Sequence, residues 1–287
     1  NTTHTIRHTV LGLVLYSLFA LSPAQAETTN CTAITSLPTI ITSQGVYCFT
    51  GNLATSITFG HAITINTNNV TLDMNGFKLG GLGAGTSTQA NGIYAFQRKN
   101  ITIKNGIVRG FFRGIYLDDS SPYTTSQGHV VRGILADQNT LSGFRVEGRG
   151  MTLRNNQVVD TGGSTISPDA YGFTVYGPGN NTLDNQVSST TATSTGNAFG
   201  IFLSTADNSM VKDNRLSETV AAGTGASYGI IIAASTDVIA RNNLISVADK
   251  GVYYVTSSCL CGGNYTSNVT TPFTGGTAAG TSNHTNP

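Results

Sequence analysis

The chain has 287 residues, with 15 basic and 14 acidic side chains and a formal charge of +1. Charged residues make up only 10%, tryptophan is absent and glycine occurs 34 times. This excludes a bundle of amphipathic helices, which needs long charged side chains on its wet face, and near-neutrality speaks against a nucleic-acid binder; Thr, Ser, Asn and Gly suit short strands joined by turns.

In chain order, the first element is an export signal. Arg7 precedes the apolar run "TVLGLVLYSLFAL", and the small residues "AQA" end it, so residues 1–26 are expected to be a signal peptide with the mature chain starting at Glu27. The run is too short for a comfortable membrane span, and no second apolar stretch could anchor the mature chain. The protein is therefore expected to be secreted, periplasmic or held at the cell surface. Export makes disulfides the default for the four cysteines. Cys31 and Cys48 are expected to pair within an N-terminal cap, residues 27–60. Cys259 and Cys261, in "CLCGG", either form a disulfide across one residue or stay as thiols. A zinc site there would need two more ligands, and no His lies between His129 and His284.

From residue 61 the chain repeats. After "AITI" come Gly92-Ile93, Gly114-Ile115, Gly143-Phe144, Gly172-Phe173, Gly200-Ile201, Gly229-Ile230 and Gly251-Val252. The apolar members fall at 63, 93, 115, 144, 173, 201, 230 and 252, at intervals of 22 to 30 residues, which is the mark of a solenoid. Between them run "VTLDMNGFKL", "ITIKNGIVRG", "MTLRNNQVVD", "NTLDNQVSST", "MVKDNRLSET" and "VIARNNLISV", whose alternation of apolar and polar residues predicts strands with one buried face. Asn105, Asn156, Asn185, Asn214 and Asn242 fall where the chain must turn, a place Asn tolerates, and stacked coil on coil they could form a side-chain ladder. The expected fold is an all-β parallel β-helix of about eight coils over residues 61–262. It would be capped at its N-terminal end, with residues 263–287 as a C-terminal tail or cap.

The segments "NNVTLDMNGFKLGG", "KNITIKNGIVRGF" and "GFRVEGRGMTLRNNQVVDTG" resemble coils of right-handed parallel β-helix repeat proteins, the pectate-lyase-like superfamily of secreted carbohydrate-active and carbohydrate-binding proteins. The likeness spans roughly residues 40 to 270 and implies a right-handed solenoid with a polysaccharide partner. Asp118-Asp119 followed by Gly128-His129 faintly resembles the acid pair and Gly-His element of polygalacturonase-like hydrolases. Val130 stands where that element needs Gly, however, and the Asn-x-Asp and Arg-x-Lys elements are absent, as is the Asp-Pro-His-Glu element of alginate epimerases. Copper delivery, a role of some exported β-helix relatives, would call for Met and His clusters, and the three Met and five His of the chain argue against it.

If Ile93 points inward, two outward columns follow: Tyr94, Tyr116, Arg145, Thr174, Phe202, Ile231 and Tyr253, and beside it Phe96, Asp118, Glu147, Tyr176, Ser204, Ala233 and Val255. Aromatic faces stack on sugar rings, while Arg and carboxylates hydrogen-bond hydroxyl or carboxyl groups. Asp118 and Glu147 are the candidate acid and base or nucleophile, with Arg145 stabilising charge. Tyr94, Phe96, Arg113, Tyr116, Asp119, His129, Tyr176 and Phe202 are candidate substrate contacts. The competing reading is structural: the aromatics stack coil on coil and the charges pair across the sheet.

Residues 98–154 hold nine bases against four acids, which suits an acidic polymer. The expected activity is polysaccharide binding, with a lyase or glycoside hydrolase as the catalytic form and an adhesive or structural spacer as the non-catalytic alternative. No cofactor is expected. Calcium lacks a motif of adjacent acids, although Asp118, Asp119 and Glu147 could gather in space. The mature protein is expected to be a monomer that engages neither nucleic acid nor membrane.

Overall fold

Three short strands per turn, each hydrogen-bonded in parallel to the same strand of the next turn, build the molecule. The computed structural model describes residues 30–275 and 283–286; the expected signal peptide lies outside the described residues. One row of strands includes Thr39–Ile41, His61–Ile65, Asn91–Phe96, Arg113–Asp118, Ser142–Glu147, Ala170–Tyr176, Ala198–Ser204, Ser227–Ala233 and the second half of Leu244–Val255. A second row starts at Thr32–Ile34 and ends at Cys259–Gly262. A third starts at Leu53–Ala54 and ends at His284–Asn286. All pairings are parallel, and a crossover between parallel strands of one sheet is right-handed, so the fold is a right-handed parallel β-helix.

The ladder extends past both expected boundaries. Residues 32–54 form coil rather than a separate cap: Thr32–Ile34 pairs with Gly45–Phe49, and Thr39–Ile41 with His61–Ile65. The Cys31–Cys48 disulfide, with a Cα separation of 5.7 Å, fastens this first coil to itself. At the other end the rungs continue through Tyr265–Thr274 and His284–Asn286. The repeat motif fades at the ends, but a strand needs only a neighbour in register, not the Gly-apolar pair, to join the sheet.

The pair itself has a steric cause. Ile93, Ile115, Phe144, Phe173, Ile201, Ile230 and Val252 are all fully buried, and each such side chain contributes about 1.5–3 kcal/mol. The glycine before each lies against a backbone carbonyl of the next coil, that of the next repeat's glycine in every case but Gly251, which meets Pro272. A Cβ at Gly92 would sit 2.5 Å from the Gly114 oxygen, one at Gly114 2.7 Å from that of Gly143, and one at Gly200 2.6 Å from that of Gly229. No other residue fits at the pitch of about 4.8 Å that the backbone hydrogen bonds impose.

The polar corner divides between two neighbouring residues. Asn155, Asp184, Asp213 and Asn242 take left-handed backbone, with φ of 54°, 55°, 57° and 54°. The residue after each, Asn156, Asn185, Asn214 or Asn243, is fully buried and forms the ladder, which continues to Asn264 and Asn283. In Asn185 the backbone N–H and the side-chain Nδ2 both donate to Asn214 Oδ1, at 2.9 and 3.1 Å, and Nδ2 also donates to the Leu153 carbonyl at 2.9 Å. Asn214 repeats this toward Asn243 and the Thr182 carbonyl. The sequence expectation therefore shifts by one residue at Asn242, whose side chain is on the outside. It fails at Asn105, which is exposed, has φ of 57° and donates to Asp73.

Replacing Asn214 by Leu would strand the Asn185 donors and the Thr182 carbonyl in the interior. Asn214→Leu is expected to cost about 3 kcal/mol or more, at roughly 1–3 kcal/mol for each buried group left unpaired. Asp213→Gly, one residue away at a left-handed position, should stay within about 0.5 kcal/mol. Urea denaturation of the two variants side by side measures the difference.

Candidate functional site

The first row of strands carries three columns of side chains outside the core, in which Thr174, Ile231, Glu147, Asn91, Ser142 and Phe199 are covered by their neighbours. One aligns Tyr94, Tyr116, Arg145, Thr174, Phe202, Ile231 and Tyr253. The next pairs Phe96 with Asp118, and Glu147 with Tyr176 and then Ser204, Ala233 and Val255. The third holds the residues before each glycine: Asn91, Arg113, Ser142, Tyr171, Phe199, Tyr228 and Lys250. Of this third column the sequence reading singled out only Arg113. The signal that finds it is the residue preceding each glycine of the repeat, as in "YG", "FG", "YG" and "KG" at 171, 199, 228 and 250.

In the N-terminal half these columns interlock. His61 stacks on Tyr94 with ring centroids 3.8 Å apart, and the Tyr94 hydroxyl donates to Asp118 Oδ2 at 2.8 Å. Arg145 pairs through Nε with Glu147, while its guanidinium lies 5.3 Å from the ring centres of both Tyr116 and Tyr176. Arg113 lies over Phe112 and Tyr116, at 4.8 and 5.0 Å. Tyr123, from the insert that follows Asp118, stacks on Tyr176 at 5.4 Å. Toward the C-terminus Tyr171, Phe199 and Tyr228 stack one per coil at 4.7 and 5.2 Å, and Lys250 sits 4.8 and 4.3 Å over Tyr228 and Tyr253. His61, Tyr171, Phe199, Tyr228 and Lys250 thus join the residues read from sequence.

Burial raises the Glu147 carboxyl above the ordinary glutamate value, against the pull of Arg145, and a hydrogen bond from the Asp118 side raises it further. Burial also raises the Tyr94 and Tyr116 phenols, which therefore stay protonated. Burial lowers Arg113, and Arg145 beside it lowers it again. Asp118 and Glu147 are close enough to hydrogen-bond each other. Glu147 is itself only 3% exposed, and Phe96 is 39% exposed at the margin of the face.

Two expected substrate contacts are part of the frame instead. Asp119 is buried, and its carboxylate accepts the backbone N–H groups of Ser120, Thr125 and Ser126, each at 2.9 Å. His129 is also buried: its Nδ1 accepts the Ile101 N–H at 3.0 Å, so Nε2 carries the proton and donates to Ser126 Oγ at 2.9 Å. Both side chains are spent on folding the 119–129 insert, and neither reaches solvent. Nor does this Ser-His contact make a nucleophile, because the imidazole lone pair is already taken.

Cys259 and Cys261 are buried thiols, not a bridge. Beside the aromatic face, at the neighbouring corner, a groove of about 490 Å³ is lined by Asn100, Gln127, Arg149 and Asn208 among others, and no column residue lines it. Among the described residues no group of three or more His, Cys, Asp and Glu side chains could hold a metal ion. No helix among them is long and apolar enough to cross a membrane.

A family model described as "Periplasmic copper-binding protein (NosD)" matches residues 49–276. A search of curated proteins finds no match. Among solved structures, the enzymatically active domain of tailspike protein 2 from bacteriophage CBA120 is similar at 14% identity and a TM-score of 0.55, over 82% of this chain and 38% of that one. The Dettilon tailspike protein is similar at 11% identity and a TM-score of 0.50, over 89% of this chain and 61% of that one. The chain spans less than two thirds of either tailspike, and at these identities the likeness is one of fold.

Burial holds His129 down to about 4, against an ordinary value of 6.5. Between those values the unfolded chain binds a proton that the native state refuses, so native stability is full above pH 6.5 and is lost as pH falls toward 4. His129→Asn keeps an acceptor for the Ile101 N–H and has nothing to titrate. Its denaturation midpoint is expected to vary less with pH across that window than the wild type's, as followed by circular dichroism.

Proposed function

The chain belongs to the NosD family of periplasmic copper-binding proteins, and within it we propose an exported member that binds an acidic polysaccharide along its aromatic face. The observation that carries this reading is the run of aromatic side chains across successive coils, from Tyr94 and Tyr116 to Tyr228 and Tyr253, with Arg113 and Lys250 lying over the rings. Sugar rings stack on such faces, and the cations supply partners for uronate carboxylates. Arg145 is engaged with Glu147, so Arg113 and Lys250 are the residues assigned to the ligand's charge.

Binding is favoured over hydrolysis because Glu147 is buried and its carboxylate is engaged by Arg145. One observation favours a catalytic form: Asp118 remains half-buried rather than buried, and its carboxylate is held by the Tyr94 hydroxyl in the manner of a positioned base.

The test incubates the mature protein with a panel of polyuronates and neutral polysaccharides and measures retention on each. Polyuronates should be retained, less so as salt rises, and Arg113→Ala or Lys250→Ala should each weaken retention about tenfold. Equal behaviour toward neutral polymers, or no retention by any, overturns the reading. Ultraviolet absorbance and reducing ends, followed in the same incubations, report lyase and hydrolase products; a signal that Asp118→Asn abolishes would establish the catalytic form.

A further inference from the structure

The second row of strands repeats one residue type at one place. Its outward position just before the left-handed corner holds Lys104, Arg132, Arg154, Leu183, Lys212 and Arg241 in six successive coils, aligned by the register of the sheet. All but Leu183 are cations, in a chain whose charged residues make up only 10%. At a pitch of about 4.8 Å the column runs about 24 Å along the solenoid.

Like charges opposite one another on neighbouring strands repel, so the column costs stability and packing does not account for it. Two members find acids: Lys104 Nζ lies 2.7 Å from Asp73, at the N-terminal end of the same column, and Lys212 Nζ lies 3.0 Å from Asp213 at the corner. Arg132, Arg154 and Arg241 have no acid within ion-pair distance among the described residues, and Arg154 and Arg241 are exposed. The other acid of this corner is Asp184, beside the uncharged Leu183. The neighbouring outward column, from Thr102 and Val130 to Met210, Ile239 and Leu260, contains no acid at all. Its C-terminal end is apolar, with Met210 and Ile239 half-buried and Leu260 36% exposed, and around the corner Leu244 and Tyr265 are 40% and 51% exposed.

We propose that this second face is a docking surface for a membrane leaflet rich in anionic phospholipid. A soluble polyanion would meet the cations and gain nothing from the apolar side chains next to them. A bilayer answers both: its phosphates face the guanidinium and ammonium groups, and the tips of Met210, Ile239 and Leu260 enter the boundary beneath the headgroups. Contact of this kind lies flat on the surface and needs no span. The expectation that the mature chain engages no membrane came from reading along the sequence for an apolar run, whereas this face is assembled from six coils. The aromatic columns stand on the first row of strands, so the inference goes beyond the polysaccharide reading and does not depend on it.

The experiment sediments the mature protein with vesicles of phosphatidylcholine alone and of phosphatidylcholine mixed with phosphatidylglycerol. Binding is expected to the mixed vesicles only, and it should fall as salt screens the surface. Arg132→Gln and Arg154→Gln should each weaken it about fivefold, the effect of one cation at an anionic surface, and Leu260→Ser should weaken it without changing its salt dependence. Both arginine variants should denature at the same midpoint as the wild type or above it, because a like-charge contact is relieved, so that lost binding is not lost fold. Equal binding to the two kinds of vesicle, binding to neither, or unchanged binding by the double arginine variant would each overturn the proposal. So would loss of polyuronate retention in that double variant, which would assign the column to a soluble polymer. Arg113→Ala and Lys250→Ala should leave vesicle binding intact, so the two readings fail separately.

Discussion

The buried asparagine amide is the group on which the rest of the molecule depends. A solenoid corner must turn the backbone inside the protein, where unpaired N–H and C=O groups are costly. Asn185 resolves this by giving its own N–H and side-chain amide to Asn214 while reaching back to the Leu153 carbonyl, and Asn156, Asn214 and Asn243 do the same. Because each amide accepts from one coil and donates to another, it fixes register as well as satisfying polarity. With register fixed, a side chain at one position in the repeat stands directly above its counterpart, and columns exist at all.

Those columns make function a matter of arithmetic on the sequence. The glycine carbonyl contacts keep coils at their hydrogen-bonded pitch, so an aromatic placed before or after the Gly-apolar pair falls within stacking range of the next. Two consequences pull against each other on this face. Stacking satisfies the aromatic rings internally, as between Tyr171, Phe199 and Tyr228, and at the same time leaves Tyr171 and Tyr228 part-exposed on either side of the buried Phe199, with Lys250 over the Tyr228 ring.

Much of this was legible in the residues. The 22-to-30-residue spacing of Gly-apolar pairs gave the solenoid, and alternation around Ile93 gave the two columns headed by Tyr94 and Phe96 in the register observed. What was hidden depends on the third dimension. The column of Tyr171, Phe199, Tyr228 and Lys250 was overlooked because the chain passes two inward-pointing residues at each Gly-apolar pair, and strict alternation cannot carry across that step. Asp119 and His129 looked like loop residues facing a ligand; only the folded backbone shows that Asp119 is spent within the insert and that His129 ties the insert to the Ile101 N–H of the preceding coil. The ladder was placed one residue early at Asn242 because "NN" in "RNNL" does not say which Asn takes the left-handed corner and which turns inward.

The asparagine ladder also has a direction. Each backbone N–H on it is answered by the coil that follows in sequence, never by the one before. A coil is therefore complete only when its successor has been laid down. In a chain laid down from its N-terminus, the newest coil is thus the least satisfied, because the acceptor for its buried corner N–H belongs to the coil that comes after it.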